Sequence, residues 1–189
     1  LNDVAKEVFL PLTMGGGVRT AEDVSQLLNS GADKVAINSA VLEKPDLITS
    51  LSKKFGSQCI VISIDFKKLK NNKYKFYGKS GSIQYDYDPV DWALKAESLG
   101  AGEILLTSID HDGARNGLEN KISKKICESL SIPVILSGGC GRANHFIDGF
   151  LKMGADAVAA GTFFCFQDQN PMQTRGHIRN AGINIRTQT

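Results

Sequence analysis

Short apolar runs alternate with stretches of helical periodicity along the chain. Most of the runs are rich in β-branched residues, as is typical of buried parallel strands. Between the runs, apolar residues recur every three to four positions, as they do on one face of a helix. Six strand–helix units in strict alternation predict an α/β protein with a parallel sheet. The predicted strands are PLTM (11–14), KVAIN (34–38), CIVISID (59–65), EILLTSID (103–110), PVILS (133–137) and AVAAG (157–161).

Residues that start and stop helices bracket most of the periodic stretches. The second stretch, for example, begins with Pro45 and Asp46 and ends before Gly56. Proline suits the first helical turn and glycine the position after the last. The predicted helices are AEDVSQLLNSG (21–31), PDLITSLSKKFG (45–56), DPVDWALKAESLG (88–100), NKISKKICESL (120–130), ANHFIDGFLKMG (143–154) and the weaker PMQTRGHIRNAG (171–182).

One segment interrupts this alternation. FKKLKNNKYKFYGKSGSIQYDY (66–87) follows the third predicted strand and is rich in lysine and aromatic residues. Its pattern predicts an inserted lysine-rich hairpin. The lysine charges are most simply those of a solvated surface.

An internal repeat indicates how the sheet is arranged. Residues 11–40 and 133–163 both run from proline through a strand, a glycine pair and a helix to Gly-Ala-Asp and a second strand. Duplicated βαβα blocks close most naturally as a (βα)8 TIM barrel made of two half-barrels. The 189 residues and six visible units fall short of the roughly 250 residues of such a barrel. We therefore expect one partial barrel domain over 1–189, with about the first two βα units missing.

Composition and charge exclude several classes of protein. The chain is 42% hydrophobic with a net charge of +2, which fits one sizeable core and argues against nucleic-acid binding. Because no apolar run reaches the roughly 18 residues of a membrane span and no signal peptide is visible, we expect a cytoplasmic protein without membrane contact. No CxxC or His pairing surrounds the cysteines, so buried, reduced thiols are predicted, with no metal and no cofactor. They are Cys59, Cys127, Cys140 and Cys165.

Glycines cluster where predicted strands end and helices begin. Gly17 lies in MGGGVRT, and Gly139 occupies the equivalent place in the second repeat. Bare glycine amides there can approach a phosphate, and the helix dipole favours its charge; alternatively, the glycines only make tight turns. Two equivalent loops favour a ligand with two phosphates. One strand later, each loop is followed by a pair of small residues, Asn38–Ser39 or Gly161–Thr162.

Polar residues end the third and fourth predicted strands. Asp65 closes CIVISID, and a carboxylate at the carboxyl end of a barrel strand is typical of an active site. An aspartate there can also simply satisfy loop amides. The next strand supplies Thr107, followed by Asp112 and Gly113. We predict that Asp65 is catalytic and that Asp112 and Gly113 line the same site.

Several stretches together resemble the HisF family, the cyclase subunits of imidazole glycerol phosphate synthase. They are TMGGGVRTAEDVSQLLNSGADKVAINSA, FGSQCIVISIDFK, LGAGEILLTSIDHDG, IPVILSGGCG and GADAVAAGTFF. The likeness covers essentially the whole chain, from the family's third barrel strand onward. It implies a histidine-biosynthesis enzyme that takes ammonia from a HisH-type glutaminase partner. Its substrate would be a bisphosphorylated ribulosyl aminoimidazole-carboxamide, converted to imidazole glycerol phosphate and an aminoimidazole-carboxamide ribotide.

The resemblance also implies residue roles. Asp65 would be one of two aspartates that act as general acid and base, the other lying on the first strand outside this sequence. Lys34 and Glu103 match two members of a charged ring through which ammonia enters the barrel, although the same pair could be an ordinary surface ion pair. Thr107 and Asp112 match residues beside the substrate. The implied phosphate contacts are Gly17, Asn38 and Ser39 at one end and Gly113, Gly139, Gly161 and Thr162 at the other.

Three alternatives are considered. The sister enzyme HisA shares the fold and the bisphosphate substrate, but VISIDFK and GAGEILLTSIDHDG resemble HisF. His111 and Ala114 depart from the Arg and Thr usual in HisF, and with the lysine-rich hairpin they resemble paralogues that amidate surface sugars with glutaminase-derived ammonia. The other alternative is a non-catalytic phosphate-binding scaffold subunit. The 189 residues alone are expected to be inactive and poorly soluble.

Overall fold

A curled parallel sheet forms the centre of the molecule. The computed structural model describes residues 10–166 and 169–186. Six strands pair in parallel in the order β1-β2-β3-β6-β7-β8, while β4 and β5 extend the end of β3 as an antiparallel hairpin. The strands are β1 (Thr13–Gly15), β2 (Lys34–Ile37), β3 (Ile60–Lys68), β4 (Tyr74–Gly78), β5 (Ile83–Tyr85), β6 (Glu103–Ser108), β7 (Val134–Ser137) and β8 (Ala157–Val158).

Helices connect the parallel strands. Each long helix lies within one of the predicted periodic stretches. Gly56 follows the second of them with a φ of 88°, a value that favours glycine. The helices are α1 (Ala21–Asn29), α2 (Ser39–Glu43), α3 (Asp46–Phe55), α4 (Pro89–Ser98), α5 (Asn120–Ser129), α6 (Ala143–Leu151), α7 (Thr162–Cys165) and α8 (Pro171–Asn180), with a 3-10 turn at Ser57–Cys59.

The two faces of the sheet differ in burial. On β3 and β6, Ile64, Ile104 and Leu106 point outward and are fully buried. Residues that alternate with them, such as Ser63 and Leu105, face inward and are only half-buried. The main core therefore lies between the sheet and its helices, and the inner face is more open.

The segment at 66–87 packs onto the core as well as facing solvent. Phe76 of β4 is buried 6.0 Å from the ring centroid of Trp92 on α4, in an edge-to-face arrangement. Tyr74 packs edge to face against Phe66 at 5.9 Å. Because Phe66 and Phe76 are buried, one side of this segment is part of the hydrophobic core. Such aromatic pairs contribute about 0.5–1.5 kcal/mol beyond their buried area.

The structure departs from the sequence predictions at a few places. The predicted strand 157–161 is reduced to Ala157–Val158 because β8 pairs only with β7 and the chain then turns into α7. The helices α2 and α7 were not predicted, since five and four residues are too few to show a period. The prediction that the cysteines are buried is wrong for three of the four thiols: only Cys140 is fully buried, Cys59 and Cys127 are half-buried, and Cys165 is exposed.

Candidate functional site

A cavity of about 640 Å³ opens at the carboxyl ends of β1, β2 and β3. Consecutive parallel strands bring their carboxyl ends to one edge of the sheet, which is where ligands bind in such folds. The cavity unites four of the predicted site residues: Gly17, Asn38, Ser39 and Asp65. Its lining is Gly15, Gly16, Gly17, Val18, Arg19, Ala36, Ile37, Asn38, Ser39, Ala40, Glu43, Ser63, Asp65, Lys79 and Ser80.

Asp65 lies half-buried on the inner face of β3. Its Oδ2 accepts a hydrogen bond from Asn38 Nδ2 at 3.0 Å, and its Oδ1 accepts one from Ser63 Oγ at 3.3 Å. Burial raises the pKa of the Asp65 carboxyl, the hydrogen bond from Ser63 lowers it, and the negative charge of Asp112 raises it again. A carboxyl group with a raised pKa holds a proton closer to neutral pH, which suits acid–base chemistry.

The three consecutive glycines of the first loop are required for two different reasons. A Cβ on Gly15 would lie 2.5 Å from the carbonyl oxygen of Ala36, so this glycine allows β1 and β2 to approach. Gly16 and Gly17 have φ angles of 101° and 72°, and side chains there would project into open space. Their backbone conformation, rather than crowding, demands glycine, and it leaves bare peptide groups along the cavity wall.

The helix that follows this loop has its own cap. Thr20 Oγ1 accepts a hydrogen bond from the Asp23 amide, and Asp23 Oδ2 accepts hydrogen bonds from the amides of Arg19 and Thr20, all within 3.2 Å. This capping box already satisfies backbone donors at the start of α1. An anion in the cavity would therefore be met by the glycine loop rather than by those capped amides.

The turn between β4 and β5 forms another wall of the cavity. Lys79 and Ser80 line it, and the Lys79 amide donates to Ser39 Oγ at 2.8 Å. Sequence reasoning missed Lys79, Ser80 and also Ser63 as cavity residues. For the turn, the available signal was that the segment 66–87, which contains it, follows the predicted strand that ends in Asp65. The contact of the turn with Ser39, 40 positions away in sequence, leaves no trace in local patterning.

The second predicted set of residues surrounds the ends of β6, β7 and β8. Thr107 is the direct neighbour of Asp65 in the β3–β6 ladder, and Asp112 acts on the Asp65 carboxyl through its charge. None of the six residues of this set lines the 640 Å³ cavity, and Gly113, Gly139, Gly161 and Thr162 also lack these links to Asp65. The structure thus groups Thr107 and Asp112 with Asp65 and leaves the remaining four at a neighbouring part of the same edge.

Close backbone packing explains one glycine of this second set. A Cβ on Gly139 would lie 2.1 Å from the Gly117 carbonyl oxygen, and the Gly117 amide donates to the Gly139 carbonyl at 2.9 Å. His111 Nδ1 lies 2.5 Å from that same Gly117 oxygen. His111 is therefore held half-buried against this loop rather than free in solvent.

Lys34 and Glu103 form an ion pair at the opposite end of the sheet. Lys34 Nζ lies 2.8 Å from Glu103 Oε2, and the Glu103 side chain is only 12% exposed. Both residues begin their strands, β2 and β6, whereas Asp65 lies near the carboxyl end of β3. Strand alternation puts the pair on the same inner face as Asp65.

Two further features of the described residues concern possible metal ligands and two thiols. Within 10–166 and 169–186, no group of three or more His, Cys, Asp or Glu side chains is arranged to hold a metal ion. Burial raises the pKa of the Cys127 thiol to about 11 and that of Cys140 to about 12, so both are protonated at neutral pH. No helix in this part of the chain has the length and apolar character of a membrane span.

Comparison with known proteins gives consistent relatives. The family model described as "Histidine biosynthesis protein" matches residues 1–170. The provisionally named imidazole glycerol phosphate synthase subunit hisF2 of Prochlorococcus marinus (strain MIT 9313) is 47% identical over 186 residues, which cover 98% of this chain and 71% of the relative. Imidazole glycerol phosphate synthase subunit HisF of Bacillus cereus is 44% identical in strain AH187 and 43% in strain Q1. Each alignment spans 182 residues, 96% of this chain and 72% of the relative.

Proposed function

The chain belongs to the histidine biosynthesis protein family, and from that premise we propose that it is a cyclase subunit of imidazole glycerol phosphate synthase. Its reaction would use ammonia to convert the bisphosphorylated ribulosyl aminoimidazole-carboxamide into imidazole glycerol phosphate and an aminoimidazole-carboxamide ribotide. Relatives that carry the HisF name at 43–44% identity support this assignment. The observation that carries it is the cavity in which Asp65 faces the glycine loop.

Asp65 is proposed as one half of an acid–base pair. Ring closure and cleavage both require protons to be moved at the substrate, and a carboxyl group with a raised pKa can hold and release them. Asn38 and Ser63, which hydrogen-bond to the carboxylate oxygens, would fix its orientation. Thr107, the neighbour of Asp65 on β6, and Asp112 would lie beside the substrate.

The two glycine-containing regions would bind the two phosphates. Gly17, Asn38 and Ser39 line the same cavity as Asp65, so a phosphate at this end lies within reach of the catalytic carboxyl group. The other phosphate would be bound at the ends of β6, β7 and β8, where backbone groups are brought close together. The residues proposed there are Gly113, Gly139, Gly161 and Thr162.

A complete (βα)8 barrel is proposed for the whole protein, with residues 1–189 as part of one domain and 66–87 as its inserted hairpin. Within the described residues, β1 and β8 each pair on one side only, and inward-facing Leu105 and Ile135 are half-buried. Two further βα units between β8 and β1 would pair both edges and cover the inner face. The relatives, of which the chain spans 71–72%, have room for them. The second catalytic aspartate would lie there.

A HisH-type glutaminase is the proposed source of ammonia. The relatives are named as subunits, which supports a partner for this chain. The Lys34–Glu103 ion pair begins the inner face that ends at Asp65, so ammonia entering at this end would travel along the barrel axis to the carboxyl group. The proposed location is the cytoplasm, where the substrates of amino-acid synthesis would be found.

A sugar-amidating enzyme of the same ammonia chemistry is the second candidate. The observation that favours it is His111, which departs from the Arg usual in HisF and is held against the Gly117 carbonyl beside the second glycine set. Such a change alters the charge next to one proposed phosphate site. The third candidate is a non-catalytic scaffold. Removing the proposed acid or base should lower the turnover of either enzyme, whereas a scaffold has no turnover to lose.

The test is ammonium-driven turnover of the bisphosphate by the full-length protein and its Asp65→Asn variant. A positioned general acid or base contributes about 10²–10⁴-fold to rate, so Asp65→Asn should lower kcat by that factor with KM little changed. Asp91→Asn, an exposed aspartate on α4, is the matched control and should retain full activity. Undiminished kcat in Asp65→Asn would remove this residue from the mechanism. An inactive wild-type protein would favour the sugar-amidating or the scaffold alternative.

A further inference from the structure

The turn of the β4–β5 hairpin brings a cation to the glycine loop. Lys79 and Ser80 line the same cavity as Gly16, Gly17 and Asp65. Lys79 and Arg19 are the cationic residues of that lining, and Glu43 and Asp65 are the anionic ones. The position of Lys79 therefore affects how strongly the cavity would attract a phosphate.

The backbone of Lys79 is fixed from both sides. Its amide donates to Ser39 Oγ at 2.8 Å, and its carbonyl oxygen accepts hydrogen bonds from Ser82 Oγ at 2.6 Å and the Ser82 amide at 3.2 Å. Lys79 and Ser80 both have left-handed φ angles, 50° and 56°. Two consecutive non-glycine residues in this region are costly and are typical of functional turns held by their surroundings.

The side chain of Lys79 is held much less firmly. Its Nζ lies 3.6 Å from Glu43 Oε1, and the two side chains are 50% and 57% exposed. An exposed ion pair at this distance is weak. Arg19, by contrast, is part of the glycine loop itself, and its backbone amide donates to Asp23 Oδ2 at 2.9 Å. Lys79 is thus the cation with a fixed backbone and a side chain that is free to exchange partners.

We propose that Lys79 binds the phosphate of the ligand that occupies the Gly17–Asn38–Ser39 end of the cavity, and that Glu43 holds the ammonium when the cavity is empty. This inference rests on the proposed function for the bisphosphate ligand. The hydrogen bond from the Lys79 amide to Ser39 links the turn directly to the proposed phosphate contacts. Ligand binding exchanges a weak exposed ion pair for a charge-assisted hydrogen bond to phosphate.

The first test removes the ammonium without straining the turn. Asparagine tolerates a left-handed φ, so Lys79→Asn in the full-length protein should fold normally. Hydrogen bonds to charged groups are strong enough for KM of the bisphosphate to rise about 10- to 100-fold, with kcat within about threefold because Lys79 does not touch the reacting carboxyl group. Lys73→Asn, an exposed lysine on the same segment outside the cavity, is the matched control. Equal KM values for the two variants would overturn the proposal.

The second test removes the competing carboxylate. Glu43→Gln frees the Lys79 ammonium, so KM should fall several-fold, whereas Lys79→Asn with Glu43→Gln should match Lys79→Asn alone. A purely structural ion pair would give the opposite sign, because losing it would loosen the turn and raise KM. If Lys79→Asn does not fold, two other single variants, Glu43→Gln and Lys79→Arg, replace it. Lys79→Arg keeps a cation and should retain the wild-type KM within about threefold. A rise in KM for Glu43→Gln would contradict the proposal.

Calorimetric titration separates this inference from the proposed activity. If the wild-type protein binds the bisphosphate without turning it over, and Lys79→Asn binds it more weakly, the activity fails and the role of Lys79 stands. Inorganic phosphate is the second probe, used at low ionic strength where a single ion pair is least screened. Equal affinity of wild type and Lys79→Asn for both probes would exclude Lys79 from the site.

Discussion

At Asp65, the free-energy cost of desolvating the ionised carboxylate exceeds the stabilisation that its two hydrogen bonds provide. Burial is the largest influence on its pKa, which is raised. A pKa that is raised in the folded state means that this group's contribution to stability is fully present below the unfolded pKa and is lost as the pH rises through the folded pKa. At neutral pH, the charge proposed for catalysis therefore opposes folding.

Asp65→Asn should accordingly stabilise the protein at neutral pH while lowering its activity. We expect the free energy of unfolding at about pH 7 to rise by about 0.5–2 kcal/mol, the usual size of single stabilising changes. This gain should shrink as the pH falls through the raised folded-state pKa, and it should be absent below about pH 4, where the wild-type carboxyl is protonated in both the folded and the unfolded state. Urea unfolding at both pH values measures it. Asp91→Asn should show no such gain, and a less stable Asp65→Asn at neutral pH would contradict the argument.

Gly17 and Gly161 separate conformational strain from crowding. A Cβ at either position meets open space, but Gly17 has a φ of 72° and Gly161 one of −96°. Because a left-handed conformation costs an L-residue about 1–2 kcal/mol, Gly17→Ala should lower the free energy of unfolding by that amount. Gly161→Ala should change it by less than about 0.5 kcal/mol. Equal losses of unfolding free energy for the two variants would contradict the argument that φ sets the cost of a Cβ at these positions.

Among the secondary-structure elements, those with complete local signals could be predicted from sequence. Gly56 stops α3 because its φ is left-handed. Asp65 could be placed near the carboxyl end of β3 because the apolar run ends there, although the strand itself continues to Lys68. The hairpin turn over the cavity could not be placed, because the contact of Lys79 with Ser39 depends on tertiary packing. Ser63 was missed for a related reason: a serine inside an apolar run shows its role only when β3 is known to face the cavity.

The β4–β5 hairpin connects the loop after β6 with Ser39, which follows β2. Tyr74 on β4 donates its hydroxyl to Glu119 Oε1 at 2.6 Å, and burial raises the pKa of this phenol, so it stays a donor at all ordinary pH values. Glu119 also caps α5 through its other oxygen, which accepts from the Ile122 amide. The hairpin is thereby attached to the loop after β6 as well as to Ser39.

Tyr74→Phe should loosen the hairpin without unfolding the sheet. A hydrogen bond to a charged group contributes about 1.5–3 kcal/mol, so amide exchange in β4 and β5 should become faster, while exchange in β6 and β7 should change little. Tyr77→Phe is the control, because Tyr77 bonds to Gln84 within the exposed part of the same hairpin. Uniform acceleration across every strand would show that Tyr74 supports the whole fold instead.

Across the whole molecule, the inner face of the sheet connects two charged ends. Lys34 and Glu103 pair at the amino ends of β2 and β6, and Asp65 lies near the opposite end of that face. If ammonia enters at the Lys34–Glu103 end and reacts beside Asp65, a change at the first end should affect only the ammonia that is delivered through the barrel. An ordinary ion pair would instead influence stability alone, by a small amount.

Glu103→Gln distinguishes these roles when two ammonia sources are compared in the full-length protein together with the proposed glutaminase partner. Glutamine-driven turnover should fall about fivefold or more, at the lower end of typical coupling between distant sites, because the paired ammonium of Lys34 loses its partner at the entrance. Turnover with added ammonium salt should stay near the wild-type value, since the carboxyl ends of the strands are unchanged. Glu128→Gln breaks an exposed ion pair with Lys124 on α5 and should alter neither rate. A parallel fall in both rates for Glu103→Gln would mean that the pair supports the barrel rather than the path of ammonia through it.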